Sequence, residues 1–234
     1  MAFYVSIQNN SAAVQQADID SLVPDIQAQI DNEFGQAWGI CATIDSGGGG
    51  WPVAINDYPG PNDPQDALGY HFIDQFGNPY AVIFAQFSLD NGVAWQSVLD
   101  HEVLEMLADS LVDSTAFIDD GLNQGTGWIV YEEVCDPCEA LTYNGVLNGS
   151  PLSDFVFPQW YDAAYQGQVD YLGAIPGPLF LASGGYASVD QILQASGWQA
   201  ISADLYKKLA ERMRHMPKAV QTVDMRKRQP VKRN

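Results

Sequence analysis

The alternation of apolar and polar positions divides the chain into short strands and a few helices. Residues 3–8 read as a strand. Ile19, Leu22, Val23, Ile26, Ile30 and Phe34 then recur at the spacing of a helix with one buried stripe. Asp18 or Asp20 can cap its start, Pro24 fits only an early turn, and Gly35 can close it. Strands are predicted over 40–44 and 53–55, separated by four glycines at 47–50 that read as a mobile loop. Residues 58–64 are a proline-rich loop. Strands over 70–73 and 81–87 are expected around the Gly77-Asn78-Pro79 turn. A second helix spans about 92–110, and a strand follows over 128–134.

Beyond that strand, Asn144-Gly145 and Asn148-Gly149 mark turns. Residues 151–186 are rich in aromatics, Gly and Pro, with little periodicity. A short helix is predicted over 188–195. Ser202 can cap a last helix, with Leu205, Leu209, Met213 and Met216 as its stripe and Pro217 as its end. Residues 218–234 have little to bury and read as a flexible arm. The pattern predicts an α+β domain over 1–200, followed by a basic amphipathic helix and arm over 201–234.

Charge sharpens this division. All ten Lys and Arg fall between Lys207 and Arg233, where only two of the 29 acids, Glu211 and Asp224, are found. Residues 1–206 therefore carry −27 and the remainder +8. A body without one basic side chain repels nucleic acid. The tail can bind nucleic acid or an acidic protein surface, and the nearest such surface is another copy of this chain. Homo-oligomers joined tail to body are thus expected. No apolar run approaches the ~20 residues of a membrane span. Met1–Ser6 lacks a basic n-region and apolar h-region, so no secretory signal is expected and synthesis is read as cytoplasmic.

Three cysteines, Cys41, Cys135 and Cys138, argue against a disulfide-stapled scaffold. The lone Cys-x-x-Cys at 135–138 reads as two buried thiols or one local disulfide.

The densest chemistry lies in His101-Glu102-Val103-Leu104-Glu105. Four positions apart on a helix, His101 and Glu105 share a face and can chelate one ion. Glu102 sits beside them, within reach of a water on that ion. This is the logic of the His-Glu-x-x-His zinc peptidases with a carboxylate for the second imidazole. The more anionic set admits calcium or manganese as well as zinc. The flanking Ala94, Val98 and Ala108 imply a buried site. Asp109 lies two turns from His101, about 12 Å along the axis, and cannot join it. The third ligand is sought among Glu133, Asp136 and Glu139. Glu133 is preferred, with Asp136 as a ligand or a partner orienting His101. His71, in the strand over 70–73, reads as a core or edge residue, with metal ligation as the lesser alternative.

His101–Met106, Glu133-Val134-Cys135-Asp136-Pro137, Asp154-Phe155-Val156-Phe157-Pro158 and Gly184-Gly185-Tyr186 together resemble a group of zincin-like metallopeptidase-like proteins of bacteriophages and bacteria. The likeness spans roughly residues 95–187 and departs from classical zincins at Glu105. It implies a zincin-like twisted mixed sheet on a long N-terminal helix and an active-site helix. It also implies a zinc-dependent peptidase or a virion-associated assembly protein, whose partners are a peptide substrate or other virion proteins. In the peptidase reading, Glu102 is the general base. Tyr186 or a backbone N–H steadies the oxyanion, because no Lys or Arg is at hand. A ring of carboxylates favours substrates with basic side chains.

Overall fold

A computed structural model describes residues 3–45, 48–119, 127–192 and 199–200. The expected final helix from Ser202, the basic arm, the end of the helix expected over 188–195, and Ser46 with the first residue of the glycine run, Gly47, lie outside these residues.

The strands β1 (Phe3–Asn9), β2 (Ala42–Asp45), β3 (Trp51–Asn56), β4 (Gly69–Ile73) and β5 (Pro79–Phe84) form one mixed sheet in the order β2-β1-β3-β5-β4. All neighbours are parallel except β4, which runs antiparallel to β5 at the edge. The helix α1 (Gln16–Gln29) joins β1 to β2 and packs on β2. Its predicted stripe is the core: Ile19, Leu22, Ile26, Ile30 and Phe34 are at most 1% exposed. Asp18 serves its start as the third residue of a capping box with Gln15, whose backbone N–H it accepts.

Two local expectations about this helix are corrected. Pro24 lies in its interior rather than in an early turn. Gly35 does not close it. The chain passes through a π-helical turn at Ile30–Phe34 and a last turn α2 (Gly35–Trp38), ending at Gly39 with φ 69°. Gly35 is required for space, since a Cβ there would lie 2.3 Å from the Ile30 carbonyl oxygen and 2.4 Å from that of Ile40. Gly39 supplies the left-handed residue that ends helices.

The strand expected over 81–87 stops at Phe84. A short helix α3 (Ala85–Asp90) follows, with the Ser88 hydroxyl donating to the Phe84 carbonyl at 2.7 Å. The second long helix is α4 (Trp95–Ala108). It packs on β3, β4 and β5 and on β9 (Pro151–Ser153). A smaller antiparallel sheet contains β6 (Thr115–Asp119), β7 (Gly127–Tyr131), β10 (Val189–Ile192) and β11 (Gln199–Ala200). Residues 189–192 are thus strand where a helix was expected: Val189 pairs with Val130 and Ile192 with Gly127. Their three-residue spacing suits a helical turn, but the open edge of β7 decides the outcome.

Strands β8 (Thr142–Asn144) and β9 form a hairpin across the two Asn-Gly turns. Asp25 of α1, fully buried, accepts the N–H groups of Leu147, Asn148 and Ser150 in that turn at 2.8–3.0 Å. Residues 154–187 are largely irregular and packed by aromatics, as the sequence suggests. The architecture is mixed α/β. Among the described residues no helix is long and apolar enough to cross a membrane.

Candidate metal centre

Helix α4 is buried along nearly its whole length. Its Glu102 and Glu105 turn toward His71 of β4, whereas Asp100 faces β9 and accepts the Ser153 N–H at 2.7 Å. Strand β4 alternates, with Gly69 and His71 turned inward and Tyr70 and Phe72 more exposed. His71 stands opposite Ala81 of β5, so a small neighbour leaves room for the ring. Gly69 does the same for Glu102: a Cβ at Gly69 would come within 2.9 Å of both Glu102 Cγ and Oε1.

The third contributor is the segment after β7. The backbone N–H groups of Cys135 and Asp136 both donate to Glu105 Oε1, each at 3.2 Å. That oxygen is fixed, and Oε2 points into the cluster. Residues 182–186 are laced to the same segment. Ala182 N–H donates to the Pro137 carbonyl at 2.8 Å and Tyr186 N–H to the Asp136 carbonyl at 2.9 Å. Gly185 permits this approach, because a Cβ there would lie 2.1 Å from the Pro137 oxygen. The Tyr186 hydroxyl reaches the Asp136 side chain.

Six ionisable side chains therefore converge: His71, His101, Glu102, Glu105, Glu133 and Asp136, each between 3% and 8% exposed. His101 Nε2 lies 3.2 Å from Glu105 Oε2 and 3.3 Å from Asp136 Oδ1. His71 Nδ1 lies 3.5 Å from Glu102 Oε2 and 3.6 Å from Glu105 Oε2, and its Nε2 lies 3.5 Å from Glu133 Oε2. By these approaches Asp136 faces His101, while Glu133, the third ligand preferred from the sequence, faces His71. Glu102 and Tyr186 both line the cleft beside the cluster. Asp109 is elsewhere. It ends α4 by accepting the N–H groups of Asp113 and Ser114 at 2.9 Å each.

The separations suit a cation. A charge-assisted N–H···O bond is about 2.7–2.9 Å long, whereas ligands held about 2.0–2.1 Å from a tetrahedral ion stand about 3.3–3.4 Å apart. The ligand atoms of His101, Glu105 and Cys135 lie within 4.8 Å of one another, as do those of His71, Glu102 and Glu105. Asp136 Oδ1, though buried, meets no hydrogen-bond donor in normal geometry.

Charge points the same way. Four buried carboxylates need cations, and residues 1–206 hold no Lys or Arg. Without an ion, the imidazoles and bound protons must supply the balance. Burial alone would lower the His101 pKa, but Glu105, Asp136 and Glu102 hold it well above the usual imidazole value. Burial would raise Glu105, yet His101 and His71 pull it down to about 2. Asp136 is pushed up to about 7 by burial and by Glu105.

His71, for which the sequence makes ligation only the lesser alternative, stands in the middle of the cluster. Its signal was parity: it shares the inward face of β4 with Gly69 and is the body's other histidine. Cys135 also borders the site, as a buried thiol whose pKa burial and Glu105 raise well above normal. Cys135 and Cys138 are both free thiols, which selects the first of the two cysteine alternatives.

The cluster opens on a cleft of about 500 Å³. His101, Glu102, Glu139 and Tyr186 line it together with apolar residues such as Val93 and Val98. No protein-family model matches the chain, and a search of curated proteins gives no match either.

Proposed function

We propose that this protein is a metal-dependent hydrolase, most simply a peptidase of zincin-like type. One observation carries the reading: His101 and Glu102 belong both to the buried ligand cluster and to the wall of the 500 Å³ cleft. A substrate in that cleft meets the groups that hold the ion. His101, Glu105 and Asp136 would hold it. Imidazole nitrogen beside carboxylate oxygen suits zinc or manganese better than calcium, which prefers six to eight oxygens.

When bound, the ion supplies Lewis-acid polarisation of a carbonyl and a lowered pKa for water. The chain's own groups do the rest. Glu102, on the cleft wall, accepts a proton from the attacking water and returns it to the leaving amine. The two backbone N–H bonds hold Glu105 still. The Tyr186 hydroxyl, at the cleft and beside Asp136, donates to the developing oxyanion. Glu102 and Glu139 are the acids of the cleft lining and no Lys or Arg joins them, so a substrate with a cationic side chain is favoured.

The test pairs elemental analysis with a peptide-library digest. Wild type should carry zinc or manganese, His101→Ala should lose it, and Glu102→Gln should slow hydrolysis by about 10²- to 10⁴-fold. Cleavage products should be enriched in Lys or Arg near the scissile bond. Protein without metal overturns the proposal.

Metal without Glu102-dependent turnover supports a second reading, a particle-assembly protein that keeps the ion for stability. The confinement of every Lys and Arg to residues 207–234 favours it. Its mark is salt-sensitive self-association, abolished by deleting 207–234, since exposed charges are screened within about 10 Å at 0.1 M salt. Normal assembly of the truncated chain removes that reading.

A further inference from the structure

The two ligand groups share one residue. Glu105 Oε2 lies 3.2 Å from His101 Nε2 and 3.6 Å from His71 Nδ1. Its other oxygen is occupied by the Cys135 and Asp136 N–H groups, so Oε2 is the atom that faces both imidazoles. We propose that the cluster binds two divalent cations side by side, bridged by Glu105. This rests on the reading of the cluster as a metal centre and deepens it.

The first position is His101 Nε2, Glu105 Oε2 and Asp136 Oδ1, with the Cys135 thiol in reach. The second is His71 Nδ1, Glu102 Oε2 and Glu105 Oε2. Glu133 completes the second through the far side of its imidazole. Its Oε2 lies 3.5 Å from His71 Nε2, where a carboxylate fixes the ring's tautomer and leaves Nδ1 to face the ion. Glu133 is thus a positioning residue, not a ligand. Glu102 turns Oε2 to His71 and Oε1 toward Gly69, so one oxygen can ligate while the other stays available for protons.

Charge balance and distance both ask for two ions. One dication among four carboxylates and two neutral imidazoles leaves a buried −2, with no Lys or Arg in residues 1–206 to meet it. Two dications leave zero. Ions that share one carboxylate oxygen at about 2.1 Å each stand up to about 4 Å apart, the spacing of two-metal hydrolases.

The experiment loads metal-free full-length protein with Mn²⁺ and reads both stoichiometry and electron paramagnetic resonance. Two Mn²⁺ per chain and an exchange-coupled signal are expected. His71→Asn should halve the stoichiometry and give the six-line spectrum of an isolated ion. Saturation of wild type at one Mn²⁺ per chain, with a six-line spectrum, overturns the second position and leaves the single-metal proposal standing. Failure to bind any Mn²⁺ or Zn²⁺ overturns both. The wild-type measurements decide the matter even if His71→Asn does not fold.

Discussion

His71 on the edge strand and Glu105 on the long helix meet at 3.6 Å, Nδ1 to Oε2, inside a region with no Lys or Arg. The same ring faces Glu102 and Glu133 at 3.5 Å each. In metal-free protein the imidazole is therefore the group that separates three buried carboxylates. Replacing it with Ala should cost about 3 to 5 kcal/mol at pH 7, the usual effect of removing one member of a buried charged set. Urea unfolding of chelated wild type and His71→Ala at pH 7 measures it. A loss below about 1 kcal/mol would mean that the ring does not balance these carboxylates.

Gly69 offers a cleaner probe of Glu102, because it touches the carboxylate without being charged. Its backbone is not in the left-handed region, so Ala adds bulk rather than strain. The added Cβ, 2.9 Å from Glu102 Cγ and Oε1, must push that side chain aside. We expect Gly69→Ala to keep the fold and the His101-side ion while hydrolysis falls at least about tenfold, since small misplacements of a catalytic group are costly. Circular dichroism, metal content and turnover together check this. Unchanged turnover would mean that Glu102 is not the base.

What the sequence conveys and what it hides divide along the range of the contacts. The His101–Glu105 pair is set by one helical turn, so spacing suffices to place it. The α1 stripe from Ile19 to Phe34 is equally local. Glu133 and Asp136 stand out as acids beside a Cys-x-x-Cys, but which imidazole each faces depends on how the loop crosses α4. His71 joins the site only through the antiparallel register of β4 on β5 and the crossing of α4, neither of which is written near residue 71. Gly35 and Gly39 look alike in sequence. Their roles differ because the Ile30 and Ile40 carbonyls close on the first. Strand β6 goes unpredicted for the same reason. Its alternation is short, with Phe117 half exposed, and β7 beside it completes the pairing.

A second buried acid pair, away from the candidate centre, makes a prediction about pH. Asp154 and Asp170 are both fully buried. Asp154 Oδ1 accepts the N–H groups of Phe155 and Leu172 at 2.9 and 3.1 Å, while its Oδ2 meets no donor. Burial, and then the neighbouring Asp170, push the Asp154 carboxyl up to about 7. The folded state thus holds a proton that the unfolded chain has released above about 4, and stability from this group falls as pH rises from about 4 to 7. Asp154→Asn keeps the Oδ1 acceptor and presents an N–H to Asp170. It should be more stable than wild type by about 1 to 3 kcal/mol at pH 8, with the gain gone near pH 4. Thermal unfolding across that range tests it. A variant less stable at pH 8 would show that the carboxylate charge is needed there.

Metal removal should act over the same pH window but with the opposite sign. In the metal-free protein Asp136 holds its proton up to about pH 7, because burial and Glu105 raise it. Between about pH 4 and 7 the folded, metal-free state therefore binds a proton that the unfolded state lacks, and its stability declines across that window. A cation at His101, Glu105 and Asp136 must displace that proton, so it binds more tightly as pH rises. Its contribution to stability grows with pH while the metal-free protein weakens. At a free ion concentration about 100 times the dissociation constant, it amounts to about 2.7 kcal/mol. For a chain of this size that corresponds to a melting temperature lowered by about 5 to 10 °C on chelation at pH 8. At pH 5 the drop should be much smaller. Calorimetric scans with and without chelator at the two pH values provide the comparison, and a chelation effect that is equal or larger at pH 5 would exclude these carboxylates as the ligands.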